Sequence, residues 1–237
     1  MLLSRLPGGE PEIFFSIQGE GVTAGVPSVF VRLALCNLAC TFCDTKYTWD
    51  WANFDREVEI ISLSPTDVAR QALDRAQRGA NNLVVTGGEP LLQQRELTDL
   101  VRRLKIAGLR IELETNGTIA PADALAAHVD QWNVSPKLGS SGNAPKDRER
   151  AEVLGWFAPR PNAYFKFVVV DPGDVDEVTA VTGRYGIPAE RVVLMPEGAD
   201  ATTVAGRSRW LVERCQDAGF RFSTRLHILL WGAQRGR

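Results

Sequence analysis

The chain has 237 residues, of which 44% are hydrophobic and 24% are charged, and this ordinary soluble composition excludes a disordered or fibrous protein. Its 27 basic and 29 acidic side chains give a formal net charge of −2, whereas a protein that binds nucleic acid needs a basic excess. No apolar run approaches the ~20 residues that cross a bilayer, and the first residues are too quickly acidic for a signal peptide. We therefore expect a cytoplasmic protein with neither a nucleic-acid nor a membrane partner.

Apolar segments of strand length alternate with longer amphipathic segments, which predicts βαβ units in one α/β domain over residues 1–237. The predicted strands are residues 28–35, 83–86, 109–115, 131–135, 164–170 and 191–195. The predicted helices are residues 65–79, 92–107, 121–128, 147–156, 174–185 and 201–218. A seventh, edge-like element is expected at 220–230, and the Gly-, Ser-, Asn- and Pro-rich residues 137–161 are expected to form an exposed excursion. Periodicity alone does not decide between an open sheet and a partial barrel.

A polar segment containing Gly, Pro or Cys follows each predicted strand. Because the carboxyl ends of parallel strands share one face, these segments predict a single large site. They begin at Cys36, Thr86, Glu114, Ser135, Asp171 and Met195.

Three of the four cysteines form a Cys-x3-Cys-x2-Cys cluster at Cys36, Cys40 and Cys43. A [4Fe-4S] cluster can be held by three thiolates, with one iron left open. A structural zinc site needs a fourth ligand, which His128 or His227 could supply. Three thiols without a metal are the third possibility. Cys215, alone in a predicted helix, is expected to be a buried apolar residue.

The segment Gly87-Gly88-Glu89-Pro90 follows a β-run. Two glycines allow the backbone to approach a ligand closely, and the Glu89 carboxylate suits an ammonium group.

Together, the cysteine spacing with Phe42 before the last cysteine and the later Gly-Gly-Glu-Pro resemble the radical S-adenosylmethionine superfamily. Further matches between about residues 13 and 232 resemble one of its families, the 7-carboxy-7-deazaguanine synthases. These matches are FSIQGEG from Phe15, FVRL from Phe30, CDT from Cys43, TGGEPLLQ from Thr86, ETNG from Glu114, SPK from Ser135, and a tail with Arg225-Leu-His227 and Leu230-Trp-Gly232. The resemblance implies a partial (β/α)6 barrel of the radical S-adenosylmethionine type with a modified, compact core.

The resemblance also implies the cofactors. A [4Fe-4S] cluster would be held by Cys36, Cys40 and Cys43, and its open iron would bind S-adenosylmethionine. The residues implied for S-adenosylmethionine are Phe42, Asp44, Gly88, Glu89, Ser135, Pro136, Lys137, Met195, Pro196, Glu197 and Gly198. Mg²⁺ would bind at Thr45, whose alternative role is to cap the turn that follows.

The implied substrate is 6-carboxy-5,6,7,8-tetrahydropterin. Its contacts would be Ile17, Gln18, Gly19, Glu20, Arg32, Thr86, Glu114, Asn116 and His227. Arg32 is the best candidate for the substrate carboxylate, because a guanidinium binds a carboxylate through two hydrogen bonds. The alternatives are an acidic protein partner for Arg32 and a packing role for His227.

The implied reaction is a radical rearrangement to 7-carboxy-7-deazaguanine with loss of ammonia, in queuosine-type 7-deazapurine biosynthesis. A 5′-deoxyadenosyl radical would take a hydrogen atom from C6 of the pterin, and S-adenosylmethionine would be regenerated. We expect the Gln18 segment and the C-terminal tail to close the site, since solvent would quench a radical. An electron donor such as flavodoxin or ferredoxin and a homodimer are also implied. The alternatives are a radical activase acting on a protein glycine and a non-enzymatic zinc-binding interaction domain.

Overall fold

The computed structural model of the chain describes all 237 residues, which form ten β-strands and nine α-helices. The strands are β1 (Leu2–Ser4), β2 (Ile13–Ile17), β3 (Pro27–Leu33), β4 (Ile60–Ser62), β5 (Asn82–Gly87), β6 (Arg110–Thr115), β7 (Gln131–Val134), β8 (Ala163–Val169), β9 (Val192–Pro196) and β10 (Arg221–Phe222). The helices are α1 (Arg56–Glu59), α2 (Pro65–Ala76), α3 (Gln94–Ile106), α4 (Asp123–Ala126), α5 (Pro145–Arg148), α6 (Ala151–Phe157), α7 (Pro172–Tyr185), α8 (Ala201–Ala218) and α9 (Leu226–Trp231). No helix is both long and apolar enough to span a membrane.

All ten strands belong to one sheet, in the order β10-β9-β8-β7-β6-β5-β3-β1-β4, with β2 paired to β3. Strand β3 and strands β5 to β10 run parallel, whereas β1, β2 and β4 pair antiparallel at the other side of β3. The two ends of this order, β10 and β4, do not pair with each other, so the barrel is open. The predicted α/β class and partial barrel are confirmed.

The six predicted strands correspond to β3 and β5 to β9, with ends that differ by at most two residues. Sequence patterning missed the antiparallel strands, because β1 and β4 have only three residues each and show no resolvable period. Strand β2 forms a hairpin with β3 in the register Phe14↔Phe30.

Three of the other predicted elements are corrected by the structure. The helix predicted at 121–128 has only the four residues of α4. The helix predicted at 147–156 is broken into α5 and α6, because Glu149 and Arg150 adopt extended backbone conformations. The edge-like element predicted at 220–230 is the short strand β10 followed by helix α9. By contrast, α8 spans the predicted residues, with Asp200 capping its start and Gly219 its end.

The alternation of side chains along each strand divides the molecule into two layers. On β3, Val29, Val31 and Leu33 are fully buried in a core of 41 residues between the sheet and the helices. Phe30 and Arg32, on the opposite face of β3, line the barrel interior. The interior is therefore free to carry polar side chains.

A buried polar network fills the barrel interior around Glu112. The fully buried Glu112 carboxylate accepts hydrogen bonds from Thr23 Oγ1 at 2.8 Å and Asn133 Nδ2 at 3.2 Å, and it pairs with Arg110. The Arg110 guanidinium also donates to Gln131 Oε1 at 2.6 Å. These bonds compensate the desolvation of the charges and fix the strands from which the site rises.

Candidate active site

A pocket with about 1320 Å³ of empty space, partly continuous with solvent, lies at the carboxyl ends of the parallel strands. All the residues predicted for the site line this pocket except four. The four that do not are Glu89, Pro136, Pro196 and Gly198. The lining residues that sequence reasoning missed include Phe14, Phe30, Leu38, Trp49, Lys166, Val168, Arg225 and Arg237.

The loop that carries the cysteines leaves β3 through a constrained turn. Leu35 has φ 74°, a conformation that costs a non-glycine residue about 1–3 kcal/mol. Its backbone is held on both sides, since its N–H donates to the carbonyl of Thr48 at 2.8 Å and its carbonyl accepts from Glu89 N–H at 2.8 Å. A Cβ on Gly88 would lie 2.0 Å from the Leu35 carbonyl oxygen, so glycine is required there. The turn thereby places Cys36 beside Gly88.

Each cysteine sulfur of the loop accepts an N–H hydrogen bond. Leu38 N–H donates to Cys36 Sγ at 3.5 Å, Asn143 Nδ2 to Cys40 Sγ at 3.2 Å, and Trp49 Nε1 to Cys43 Sγ at 3.3 Å. Such N–H···S bonds are typical of the thiolates that hold iron–sulfur clusters. Burial raises the pKa of the Cys36 thiol to about 11 and also raises that of Cys40. A bound metal centre would supply the positive charge that keeps both sulfurs ionised.

The three cysteines fit a cluster better than a single zinc ion. No group of three or more His, Cys, Asp and Glu side chains converges closely enough to hold one metal ion. In a cubane each thiolate binds a different iron, whereas zinc requires its ligands about 2.3 Å from one centre. The structure therefore gives no support to a zinc site completed by His128 or His227. His128 is absent from the pocket lining, and His227 lies 3.9 Å from Glu20.

Glu89 lies behind the pocket wall rather than on it, and protein donors surround its carboxylate. The fully buried carboxylate accepts from Leu91 N–H at 3.0 Å, Thr115 Oγ1 at 2.9 Å and Asn116 N–H at 2.7 Å. Burial raises its pKa. Glu89 therefore joins the loops after β5 and β6, and a ligand at this edge would meet the backbone of Gly88.

The other three predicted residues that are absent from the pocket lining are Pro136, Pro196 and Gly198. Gly198 packs against α8, since a Cβ there would lie 3.0 Å from Val204 Cγ2. Pro136 and Pro196 provide backbone between residues that do reach the pocket. One such residue is Lys137, whose ammonium donates to Ser135 Oγ at 2.9 Å.

The residues predicted to recognise the pterin converge around Glu114. Its carboxylate accepts from Thr86 Oγ1 at 2.6 Å and from Gln18 Nε2 at 3.4 Å. Lys166 Nζ lies 3.7 Å from the same carboxylate and 2.5 Å from Glu20. Asn116 is oriented by Asn37, to which its amide donates at 2.9 Å. The arrangement offers donors and acceptors side by side, as recognition of a heterocycle requires.

Two charged residues that the sequence interpretation missed, Lys166 and Arg225, hold Glu20. Arg225 Nε donates to Glu20 at 3.1 Å, Nη1 donates to the Gly198 carbonyl at 2.7 Å, and Nη2 donates to Asp44. Burial alone would raise the pKa of Glu20, but Lys166 and Arg225 hold it well below its ordinary value. Lys166 could have been found from the sequence, because it is the one charged residue among the apolar residues of β8. Arg225 belongs to the Arg225-Leu-His227 tail pattern, from which the sequence analysis selected only His227.

Arg32 has an acidic protein partner and also faces the pocket. Its Nε donates to Glu12 at 2.8 Å, so the acidic protein partner exists, and Arg32 also lines the pocket. Tyr47 donates to the same buried carboxylate at 3.2 Å. Glu12 thus holds one edge of the guanidinium in place.

Thr45 does not cap the turn that follows it. The short helix Lys46–Thr48 begins without a side-chain hydrogen bond from Thr45, so the capping alternative is wrong. The hydroxyl lies 3.6 Å from Cys43 Sγ, on the pocket lining.

The Gln18 segment and the C-terminal tail are joined along one side of the pocket. Leu226 N–H donates to the Gly19 carbonyl at 2.8 Å, and Gly21 N–H donates to Ser223 Oγ at 2.8 Å. The His227 ring packs so closely on Gly19 that a Cβ there would lie 2.2 Å from Nδ1. His227 therefore has a packing contact as well as its place on the lining.

Comparison with known proteins agrees with this geometry. The model of the radical SAM superfamily matches residues 31–146. The chain is 41% identical to a 7-carboxy-7-deazaguanine synthase of Pyrobaculum aerophilum, over 95% of this chain and 96% of that protein. It is 37% identical to the enzyme of the same name from Halobacterium salinarum, over 93% of this chain and 89% of that protein.

The fold is also that of a solved structure. The crystal structure of QueE from Escherichia coli superimposes with a TM-score of 0.66, at 24% identity, over 96% of this chain and 95% of that one. The three cysteines lie on one pocket of this fold. The identity to the two named synthases extends over nearly the whole chain, and it shows that the chain belongs to the 7-carboxy-7-deazaguanine synthase family of radical S-adenosylmethionine enzymes.

Proposed function

We propose that the protein converts 6-carboxy-5,6,7,8-tetrahydropterin to 7-carboxy-7-deazaguanine with release of ammonia, in queuosine-type 7-deazapurine biosynthesis. The relatives named as this synthase support the proposal. The structural observation that carries it is a single pocket lined by both the three cysteines and the Gln18, Thr86 and Glu114 group. One pocket can therefore hold a radical cofactor and a polar heterocycle in contact.

Cys36, Cys40 and Cys43 would hold a [4Fe-4S] cluster, and S-adenosylmethionine would bind between them and the loops after β5, β7 and β9. When bound, the cluster and S-adenosylmethionine supply the radical chemistry that removes a hydrogen atom from the substrate. The protein orients the reactants and limits the access of water. Lys137 and the backbone of Gly88 line the pocket on the side where the methionine group would lie.

The pterin would be recognised by the group around Glu114. A pterin edge alternates hydrogen-bond donors and acceptors, which the Gln18 amide and the carboxylates of Glu114 and Glu20 can match. The substrate carboxylate would pair with Arg32, since Glu12 occupies only its Nε edge in the contacts observed. Lys166 lies between the Glu20 and Glu114 carboxylates, with its ammonium 2.5 Å from Glu20 and 3.7 Å from Glu114.

Mg²⁺ would bind at the Thr45 hydroxyl together with substrate oxygens and water, because Mg²⁺ commonly retains waters and takes few protein ligands. The neighbouring Asp44 carboxylate is paired with Arg225, so it is already neutralised. We expect Thr45→Val to weaken the response of turnover to Mg²⁺ without changing the iron content. An unchanged Mg²⁺ dependence would contradict this site.

The reaction is tested by an anaerobic assay of the reconstituted protein with the carboxylated tetrahydropterin, S-adenosylmethionine, reductant and Mg²⁺. The expected products are ammonia and 7-carboxy-7-deazaguanine, with S-adenosylmethionine regenerated. Protein with a full cluster that leaves this pterin unchanged would contradict the proposed substrate.

Arg32→Ala should sharply weaken binding of the pterin while the cluster content stays near normal. Arg235→Ala is the matched control, because Arg235 stacks 3.5 Å above the Tyr47 ring but does not line the pocket. Equal losses of binding in the two variants would mean that Arg32 acts only through the Glu12 cluster.

The family membership favours this reaction over a glycyl-radical activase or a zinc-binding interaction domain. The colour of the protein separates the last of these, since an iron–sulfur protein purified without oxygen is brown and a zinc protein is colourless. Colourless protein with stoichiometric zinc would contradict the enzyme proposal.

We also propose a one-electron donor such as flavodoxin or ferredoxin, a homodimer and a cytoplasmic location. Reduction of the cluster by reduced flavodoxin and a molar mass near twice 26.0 kDa in light scattering would support the first two. A monomer at working concentration would contradict the dimer.

A further inference from the structure

Residues 139–143, which we call the clasp, pack over the cysteine loop. Thr41 N–H donates to the Ser141 carbonyl at 3.0 Å, and Ala39 N–H donates to Asn143 Oδ1 at 3.0 Å. Gly142, with φ 79°, lies so close to the loop that a Cβ would be 2.8 Å from Thr41 Cγ2. The expectation that residues 137–161 form an exposed excursion is therefore wrong: Leu154 and Phe157 are buried in the core, and the clasp touches both neighbours of Cys40.

The clasp is anchored to the barrel through Glu177 on α7. The Glu177 carboxylate accepts from Gly139 N–H at 2.8 Å and from Arg148 Nη1 at 2.6 Å. Arg148 also donates to the Lys137 carbonyl at 2.8 Å, and its side chain is only 10% exposed. A partly buried ion pair of this kind restrains both ends of the clasp.

The side-chain amide of Asn143 joins the clasp to a sulfur. Its Oδ1 is occupied by Ala39 N–H, so its NH₂ group faces Cys40 Sγ, at 3.2 Å. The same NH₂ lies 3.2 Å from Ser141 Oγ. The orientation of the amide is thereby fixed by the loop that it contacts.

An N–H donor on a ligand sulfur affects the oxidation states of a cluster unequally. The reduced cluster carries one more negative charge, part of which resides on its thiolates, so a hydrogen bond stabilises the reduced state more. Cys40 is buried at 8% exposure, where water competes little for the sulfur. Trp49 Nε1 makes the corresponding contact with Cys43 Sγ.

We propose that Asn143 is a positioning residue that raises the reduction potential of the cluster through its hydrogen bond to Cys40, and that Trp49 does the same through Cys43. The proposal rests on the cluster assigned under the proposed function, and it gives the clasp a role in the entry of the electron. The electron comes from the one-electron donor, and no bond is made or broken in the protein.

The test is an anaerobic redox titration monitored by electron paramagnetic resonance on reconstituted protein without substrate. Asn143→Ala is expected to lower the ratio of reduced to oxidised cluster at a fixed potential by about tenfold, which is about 59 mV for one electron. Trp49→Phe should lower the midpoint in the same direction. Asn53→Ala is the matched control, because the exposed Asn53 amide bonds only to Asp50, at 2.9 Å.

Asn143→Asp separates the redox role from a structural one. Aspartate keeps the acceptor for Ala39 N–H but lacks the donor to sulfur, and its charge also disfavours the reduced state, so the midpoint should fall at least as far. Midpoints of Asn143→Ala and Asn143→Asp that equal the wild-type value would overturn the proposal. If Asn143→Ala does not retain iron, Asn143→Asp and Trp49→Phe decide in the same way. Wild-type protein that binds no iron and sulfide would instead refute the proposed function.

Discussion

Arg225 lies at the junction of the three segments that build the site. Its guanidinium donates to Glu20 beside the residues around Glu114, to Asp44 beside the last cysteine, and to the carbonyl of Gly198 after β9. Its side chain is only 8% exposed. Substitution by lysine keeps the charge but replaces a planar fork with one ammonium group, which cannot reach all three acceptors.

The magnitude follows from the bonds that lysine loses. If the ammonium keeps the contact with Glu20, the bonds to Gly198 and Asp44 are lost. A buried bond from a charged donor contributes about 1.5 kcal/mol, as for Gly198. The Asp44 side chain is 42% exposed, and solvent reduces its pair with Arg225 to about 1 kcal/mol. The expected loss of unfolding free energy is about 2.5 kcal/mol. The same free energy corresponds to a change of roughly 60-fold in the equilibrium constant for ligand binding, if binding requires the three segments to be joined.

Denaturant unfolding measures the loss of unfolding free energy. Calorimetric titration of the reconstituted protein with S-adenosylmethionine and then the pterin measures the loss of ligand binding. Arg225→Met should cost more, about 3 kcal/mol, because it also removes one of the two charged partners of Glu20, with Lys166 left as the other. Arg184→Lys, at an exposed pair with Glu149, is the control and should leave the stability close to that of the wild type. Arg225→Lys with wild-type stability and wild-type binding of both ligands would refute the reasoning.

Three further predictions concern groups on the pocket wall and the carboxylate behind it. Because the pKa of Glu20 is lowered in the folded protein, its contribution to stability is present above about pH 4.5 and is lost as the pH falls. Lys166→Met should weaken this dependence of the unfolding free energy on pH, measured by urea unfolding between about pH 3 and 7. The same pH dependence in the variant and the wild type would contradict the prediction. Gly88→Ala should lower the free energy of unfolding by about 3 kcal/mol, because its Cβ would clash with the Leu35 carbonyl. Gly206→Ala, in open space within α8, is the control and should raise the free energy of unfolding by about 0.5–1 kcal/mol. Equal effects of the two variants in denaturant unfolding would refute the close approach of Gly88 to Leu35. Glu89→Gln should lower the free energy of unfolding by about 3 kcal/mol in the same assay, because the amide NH₂ would face a group that itself donates a hydrogen bond. An unchanged free energy of unfolding would mean that those donors find other partners.

The parallel part of the barrel was predictable because its strands are apolar, of ordinary length and separated by helices with recognisable ends. The spacing of Cys36, Cys40 and Cys43 was equally informative, since metal ligands close together in sequence are close together in space. The ion pairs of the interior left no such local pattern. Glu20 is separated by 146 residues from Lys166 and by 205 from Arg225, so only the folded barrel shows that they meet.

Glu89 shows a second limit of sequence reasoning. A carboxylate in a recognised motif was assigned to a ligand, but its environment in the fold decides its role. Three donors from the loops after β5 and β6 occupy Glu89, and the same residue would contact a ligand only if those loops opened. Among the carboxylates that line the pocket, Glu20 and Glu114 lie near the ammonium of Lys166 on β8.

The contacts of Arg225 and Asn143 separate two requirements of a radical enzyme. Hydrogen abstraction needs the reacting atoms held about 3–3.5 Å apart, so the distance between the cysteine loop and the residues around Glu114 must be fixed. Arg225 joins the cysteine loop, through Asp44, to Glu20 beside those residues. Electron entry depends instead on the charge around the sulfurs, where Asn143 and Trp49 donate. Arg225→Lys should therefore weaken ligand binding more than it moves the midpoint, and Asn143→Ala should move the midpoint more than it weakens binding. If both variants changed both quantities equally, the clasp and the tail would act as one rigid unit, and neither role could be assigned to a single side chain.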